Sequence, residues 1–263
     1  MTTNLIGKFD LNNTFFEYTF ISNAIPTIFI HGVGLDNTMW YPQKKYFKNE
    51  SMIYYDILNH GKSKSSHKYL SFEMFADQLN NLIQNLNIKK INLVGFSIGA
   101  LIAQHFTQKY INKINKLILI GSVYKRTKDQ ISIVKKRYKE ALSGKSITEE
   151  SIQRWFTKSF LNQNTQVYNF FHNLLDNKRN EDFLPAYKVF VESDKNFINF
   201  SKFNMPTLIM TGEKEVGSTP LMSEGIQNEI KNSKLFIIKN AKHGATIEKA
   251  DDVNKQLSKF LFN

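Results

Sequence analysis

The chain contains no cysteine among its 263 residues. Disulfides, thiolate catalysis and cysteine-held zinc or iron–sulfur sites are therefore excluded. No apolar run approaches the roughly 18 residues needed to cross a bilayer. Met1 to Lys8 lacks a charged start leading into an apolar h-region, so no signal peptide is visible and a soluble, cytoplasmic protein is expected. The six histidines show no H-E-x-x-H or comparable metal-ligand spacing, and no phosphate-cradling G-x-G-x-x-G or G-x-x-x-x-G-K occurs. Neither a metal nor a cofactor is implied. Internal repeats and low-complexity tracts are also absent. Arginine is scarce: only 4 of the 35 basic residues are Arg, and the rest are Lys. Specific nucleic-acid recognition draws on arginine forks and a clustered basic face. Here the net charge of +12 is spread along the chain with no dense run. It reads as the lysine bias of an A+T-rich coding sequence, and no nucleic-acid partner is expected. A basic surface remains suited to attracting an anionic small molecule.

What is present is a rhythm of short apolar runs. Strands are predicted near 26–30, 51–55, 91–95, 116–120, 207–211 and 234–238, mostly separated by segments long enough for helices. An earlier run, Phe15 to Ile21, reads as an antiparallel strand. This alternation predicts an α/β protein with a mainly parallel, doubly wound sheet covered by helices on both faces. Between Val123 and Asn204 the rhythm breaks. Amphipathic stretches at Asp129–Leu142, Thr148–Phe160 and Thr165–Leu175 predict a helical subdomain there, with capping residues for one helix supplied by Ser146 to Glu150. The expected organisation is a core of residues 1–122 and 205–263, with residues 123–204 inserted as a cap. The length suits one such core plus insert, and a homo-oligomer is compatible with it.

One pentapeptide carries the chemistry. Gly95-Phe96-Ser97-Ile98-Gly99 follows the strand-like Ile91-Asn92-Leu93-Val94 and opens the helix-like Ala100 to Phe106. A serine flanked by glycines at i−2 and i+2, between strand and helix, is a nucleophile elbow. Two further segments fit it. His31-Gly32-Val33-Gly34, just past the strand 26–30, can lay the Val33 N–H beside the nucleophile. With the Ile98 N–H it would complete an oxyanion hole. His243 follows the last strand-like run and precedes a closing helix over Asp252–Phe262, where a general base belongs in the order serine, acid, histidine.

With these motifs the chain resembles an α/β-hydrolase with a helical cap, from about residue 15 to its end. A fourth signature, Asp56-Ile57-Leu58-Asn59-His60-Gly61-Lys62-Ser63, resembles the family's structural D-x-x-G-H-G-x-S loop, with Asn59 replacing its first glycine. Asparagine tolerates left-handed backbone better than most residues. Within the superfamily the chain resembles the 3-oxoadipate enol-lactonase group and its carboxylesterase relatives. That likeness rests on Met205-Pro206-Thr207 through Glu248-Lys249-Ala250 and on Arg154-Trp155-Phe156.

The resemblance places the triad acid in the turn after the sixth core strand. There the sequence reads Gly212-Glu213-Lys214-Glu215, with Glu215 at the family's aspartate position and Glu213 as its rival. The family's other acid position, after the preceding core strand, reads Gly121-Ser122-Val123 and holds no carboxylate. The resemblance implies a cofactor-free serine hydrolase acting through an acyl-enzyme on a small-molecule ester or enol-lactone. Its residues would be Ser97, His243 and Glu215, with Val33 and Ile98 at the oxyanion. The same triad in relatives serves C–C hydrolysis, thioester cleavage and perhydrolysis, and a slow-turnover ligand receptor on this fold is a further alternative. Dehalogenase and epoxide hydrolase chemistry is disfavoured, since those relatives carry aspartate where Ser97 stands. Arg154 and Trp155 are candidates for substrate binding. The competing expectation is that Trp155 and Phe156 pack the cap onto the core while Arg154 faces solvent. Tyr187, Phe190 and Phe197 are expected to be packing residues.

Overall fold

The computed structural model describes residues 5–19, 24–64, 67–176 and 180–263. Eight strands form one sheet: β1 (Ile6–Phe9), β2 (Phe15–Thr19), β3 (Thr27–Ile30), β4 (Met52–Tyr55), β5 (Ile91–Phe96), β6 (Ile114–Ile120), β7 (Thr207–Gly212) and β8 (Ser233–Ile238). Their spatial order is β1-β2-β4-β3-β5-β6-β7-β8. The two β2 pairings are antiparallel and all others are parallel. The six expected core strands are present to within a few residues. The β2 expectation ran on to Phe20 and Ile21, which lie outside the described residues. β1 was not anticipated, because its sequence IGKF carries no strand-like apolar alternation and its residues are all exposed at the sheet edge.

The central strands are buried on both faces, so their side chains alternate between two apolar layers. Ile28, Ile30, Leu93, Leu117 and Leu119 enter one layer. Phe29, Val94, Ile118 and Ile120 enter the other. The first layer is closed by α2 (Phe72–Asn85), α3 (Ile98–Lys109) and α9 (Pro220–Glu229), through residues such as Leu79, Phe106 and Ile226. The second receives α11 (Ala250–Phe262) through Val253, Leu257 and Leu261, beside the short helix α1 (Tyr41–Tyr46).

Among the described residues no strand forms between β6 and β7. That interval holds α4 (Lys128–Leu142), α5 (Thr148–Trp155), α6 (Lys158–Gln163), α7 (Thr165–Asp176) and α8 (Asn180–Val191). Ala141, Phe183, Tyr187 and Val191 form a small apolar cluster of their own, with Val33 of the core packed against it. Trp155, Phe156, Phe171 and Leu175 instead join the second sheet layer.

Two local expectations are corrected. The stretch Thr148–Phe160 is two helices, because Phe156 is extended (φ −123°, ψ 153°) and Thr157 caps the second by accepting from the Phe160 N–H. The break frees the Trp155 carbonyl, which accepts from the Gly244 N–H at 2.7 Å. A tertiary hydrogen bond beside the His243 loop thus replaces a helical one. Second, α5 begins at Thr148 behind Ile147, which supplies no side-chain N-cap. Ser146 Oγ accepts weakly from the Thr148 N–H (3.3 Å), and Glu149 and Glu150 face the helix dipole. α8 passed unnoticed in the sequence, since Pro185 stands inside it. After α9 the fold closes through β8, the single turn α10 (Ala245–Glu248) and α11.

Candidate active site

Ser97 joins β5 to α3 with φ 58° and ψ −119°, a conformation that L side chains resist. The neighbouring glycines make the turn sterically feasible. A Cβ on Gly95 would lie 2.2 Å from the Gly99 carbonyl oxygen, and one on Gly99 would lie 2.3 Å from that of Ile30. The Ser97 N–H donates to the Ile120 carbonyl at 2.9 Å, fixing the elbow to β6. The side chain thereby stands at the N-terminus of α3, whose first amides point toward whatever Ser97 meets.

Val33 lies in the turn after β3, and that turn is held by two histidines. His60 Nε2 accepts from the Gly34 N–H (2.9 Å), which requires the Nδ1–H tautomer, and Nδ1 meets the Leu58 carbonyl at 2.9 Å. His31 bonds the Gly32 carbonyl through Nδ1 (2.8 Å) and accepts from the Ile57 N–H through Nε2 (3.1 Å). Burial lowers the His31 pKa against the pull of Asp56, in keeping with a neutral ring. The turn after β3 is thus tied to the Asp56–Ser63 loop, which is itself pinned by Asp56 accepting from the Asn37 and Lys62 amides. Asn59 has φ 63°, the left-handed conformation expected of it. Neither the Val33 nor the Ile98 N–H donates to a described backbone or side-chain acceptor.

His243 sits on the loop between β8 and α10, nearly buried, between the rings of Phe96 (centroids 4.8 Å apart) and Trp155 (6.4 Å). Its Nδ1 is 2.7 Å from Glu215 Oε2 and 3.4 Å from Ser218 Oγ. Glu215 Oε1 accepts from the Gly217 (2.5 Å) and Ser218 (3.2 Å) amides and lies 3.9 Å from Arg154 Nη1. Burial pushes the Glu215 carboxyl up, but His243, Arg154 and the Gly217 amide outweigh it and hold the pKa down to about 2. Glu213 points elsewhere: it accepts from the Asn240 amide (2.9 Å) and pairs with Lys239. Ser122, at the family's other acid position, accepts from Gln104 Nε2 and does not bond His243.

Ser97, His243, Val33, Arg154 and Trp155 all line one cavity of about 360 Å³ between the carboxyl ends of the strands and the helical insert. Arg154 therefore faces the cavity and Glu215, with a quarter of its side chain still exposed. Trp155 is both packed and cavity-lining, whereas Phe156 only packs. Two expectations for the insert need correction. Tyr187 and Phe190 line the cavity as well as packing, and Phe197 is 80% exposed and packs little. Arg126 and Arg137, not anticipated from the sequence, line the cavity too. Their rarity in a lysine-rich chain was the available signal. The arrangement can deliver a serine hydroxyl, an imidazole with a carboxylate oxygen 2.7 Å from its Nδ1 and two unused amides to one acyl group. No helix among the described residues is long and apolar enough to cross a membrane.

Residues 26–250 match the model of the α/β-hydrolase fold family. The (E)-2-((N-methylformamido)methylene)succinate hydrolase of Acinetobacter baylyi is 27% identical over 256 residues, which are 95% of each chain. The 3-oxoadipate enol-lactonase 2 of the same organism is 21% identical, covering 86% of this chain and 85% of its own. Among solved structures, the enol-lactonase of Burkholderia xenovorans superimposes with a TM-score of 0.87 at 20% identity, covering 96% of this chain and 98% of that one. At that identity the superposition speaks for the fold alone.

Proposed function

The chain belongs to the α/β-hydrolase fold family, and from that premise we propose that it is a serine hydrolase cleaving a small carboxylate-bearing ester or enol-lactone. Ser97 is the nucleophile, His243 the general base and Glu215 the acid that orients it. The observation that carries this reading is the 2.7 Å contact between His243 Nδ1 and Glu215 Oε2 in the cavity that Ser97 lines. A carboxylate on Nδ1–H leaves the other ring nitrogen as the proton acceptor and stabilises the imidazolium that forms.

In the first half-reaction Ser97 Oγ adds to the acyl carbon while its proton passes to His243. The carbonyl oxygen becomes an oxyanion held by the Val33 and Ile98 amides, whose N–H groups are not engaged by another described residue. Collapse breaks the bond to the alcohol or enol oxygen, which takes the proton from His243, and the acyl group stays on Ser97 as an ester. Water, deprotonated by His243, then releases the acid and restores Ser97. Residues 123–204 act as a cap that shields these steps from bulk water. Arg154 and Trp155 meet the substrate, the first through its carboxylate. An anionic group enters a closed cavity only where a cation receives it, and the Acinetobacter baylyi relative is named for a substituted succinate, a carboxylate-bearing compound.

A fluorophosphonate probe tests the central claim. Wild-type protein should be labelled at Ser97, and Ser97→Ala protein should not. An unlabelled wild type that also leaves aryl esters and enol-lactones intact would make this fold a binding protein instead.

A further inference from the structure

Lysine outnumbers arginine 31 to 4 in this chain, yet among the described residues the cavity is lined by Arg126, Arg137 and Arg154 and by no lysine. The fourth, Arg179, lies outside the described residues. In a protein whose coding bias favours lysine so heavily, a random choice of cations would bring lysines to this wall. Arginine differs by offering a planar fork that grips carboxylates with two parallel N–H bonds. Nor does any carboxylate among the described residues line the cavity. The partners of the three arginines, Asp194, Glu150 and Glu215, approach from outside it.

Arg126 is the most constrained of the three. Its Nε donates to Asp194 Oδ2 (2.8 Å), and its Nη2 donates to the Phe190 and Val191 carbonyls and Ser193 Oγ (3.0, 3.1 and 2.8 Å). The side chain is 3% exposed, and its Nη1 is buried without a hydrogen-bond acceptor among the described residues. Arg154 Nε is in the same condition. An unused N–H on a buried cation is costly unless something completes it. Tyr187 lines the same cavity as the three arginines. Burial raises its pKa, while Arg154, Arg137 and Arg126 oppose that rise and Glu150 adds to it. Its hydroxyl has no hydrogen bond to a described residue. Arg126 and Arg154 are also anchored at separate places. The first is held by the segment that ends α8, and the second stands beside the Glu215 turn after β7.

We propose that the cavity holds a second anion subsite, formed by Arg126, Arg137 and Tyr187, which receives a further carboxylate of the substrate. The substrate class is then an acyl compound with two free carboxylates besides the scissile bond. This rests on the hydrolase reading for the place of the acyl group at Ser97, but the subsite itself is a matter of binding and can be measured without turnover.

The test uses Ser97→Ala protein and non-reacting diacids. Succinate, glutarate and adipate are titrated by calorimetry against their own monoamides, which keep the length and remove one charge. At least one diacid should bind ten or more times tighter than its monoamide, the advantage expected of one charge-assisted contact. Arg137→Gln should cut that advantage to threefold or less and leave monoamide binding within about twofold. Arg126→Gln should do the same if it folds. Arg137→Gln, whose side chain pairs with the half-exposed Glu150, serves if Arg126→Gln does not. The proposal is overturned if no diacid gains tenfold over its monoamide, or if the gain survives Arg137→Gln. Failure of the hydrolase reading appears separately, as an unlabelled Ser97 in the wild type, and would leave a measured diacid preference standing.

Discussion

His243 Nδ1 lies 2.7 Å from Glu215 Oε2, with the two side chains 6% and 1% exposed. The glutamate's extra methylene relative to aspartate does not keep it from the imidazole. Its other oxygen is occupied by the Gly217 and Ser218 amides, so the carboxylate is clamped from one side and offered to the base from the other. Proposed as a triad, this pair and Ser97 make the first prediction. Ser97→Ala or His243→Ala should lower turnover of the best ester by about 10⁴-fold or more with the fold intact by circular dichroism. A variant retaining a tenth of wild-type turnover would remove that residue from the mechanism.

Substitution of the acid separates charge from shape. Glu215→Gln keeps the size but cannot stabilise imidazolium, and kcat should fall by up to about 10⁴-fold, by analogy with neutralised triad acids. Glu215→Asp should be milder, because the charge remains and the Gly217–Ser218 amides can still receive a carboxylate. Glu213→Gln should leave kcat within about twofold, since Glu213 bonds Asn240 and Lys239 away from the base. Steady-state kinetics on the three variants checks the order; a crippled Glu213→Gln beside an active Glu215→Gln would reverse the assignment.

The same carboxylate links stability to pH. Its folded pKa, about 2, is below its ordinary value of 4.5. The ionised form therefore stabilises the folded state, fully above pH 4.5, and this contribution is lost as pH falls through about 2. The Tm difference between wild type and Glu215→Gln should be widest near neutral pH and close steadily on acidification. A difference that grows toward acid would contradict the direction of the shift.

Arg154 serves two neighbours, the cavity and Glu215 Oε1 at 3.9 Å. Arg154→Ala should therefore erase a preference for carboxylate-bearing over neutral esters of about 10- to 150-fold in kcat/KM. It should also slow neutral esters, by less than about tenfold, because the contact with Glu215 is long and a quarter of the arginine is exposed. Paired kinetics on one charged and one neutral ester reads both effects. Equal wild-type rates on the two would leave Arg154 no part in recognition.

Asn59 stands where related loops carry glycine, and it does more than tolerate φ 63°. Its side chain bonds the His67 carbonyl at 2.8 Å and accepts from the His67 amide at 3.0 Å. Asn59→Gly should lose about 1–2 kcal/mol from these bonds. Asn59→Ala should lose about 1 kcal/mol more from left-handed strain. Urea denaturation gives the order, and a stabilised glycine variant would show that the side-chain bonds contribute nothing.

Much of the fold was legible because it is written in short-range terms. Runs such as Ile91 to Val94 and Thr207 to Met210 can only be two-face-buried strands when helices flank them. Gly95 and Gly99 mark a turn that no Cβ permits. His60 and Asn59 were recognisable by motif, although their grip on the Gly34 and His67 amides was not. The misses fall where local pattern is silent or misleading. β1 is an exposed edge strand paired, among the described strands, to β2 alone, α8 carries Pro185 within it, and α5 stops at Trp155 where Phe156 turns extended and the freed carbonyl meets the Gly244 amide some 90 positions away in the chain.

The sequence by itself determined the order of the candidate residues and the backbone that presents Ser97, since both follow from local sterics and from the spacing of apolar residues. It also set Glu215 at the family's acid position, with Glu213 as the rival. The tertiary structure places the Glu215 carboxylate 2.7 Å from His243 Nδ1 and Glu213 against Asn240 and Lys239, and it decided the character of the cavity. Arg126, Arg137, Arg154 and Tyr187 lie on different elements of the insert, and helical periodicity does not say which of their faces meets the sheet. Only the packing of α4, α5 and α8 over the strand ends brings those side chains to one wall, because it depends on apolar contacts between segments far apart in sequence.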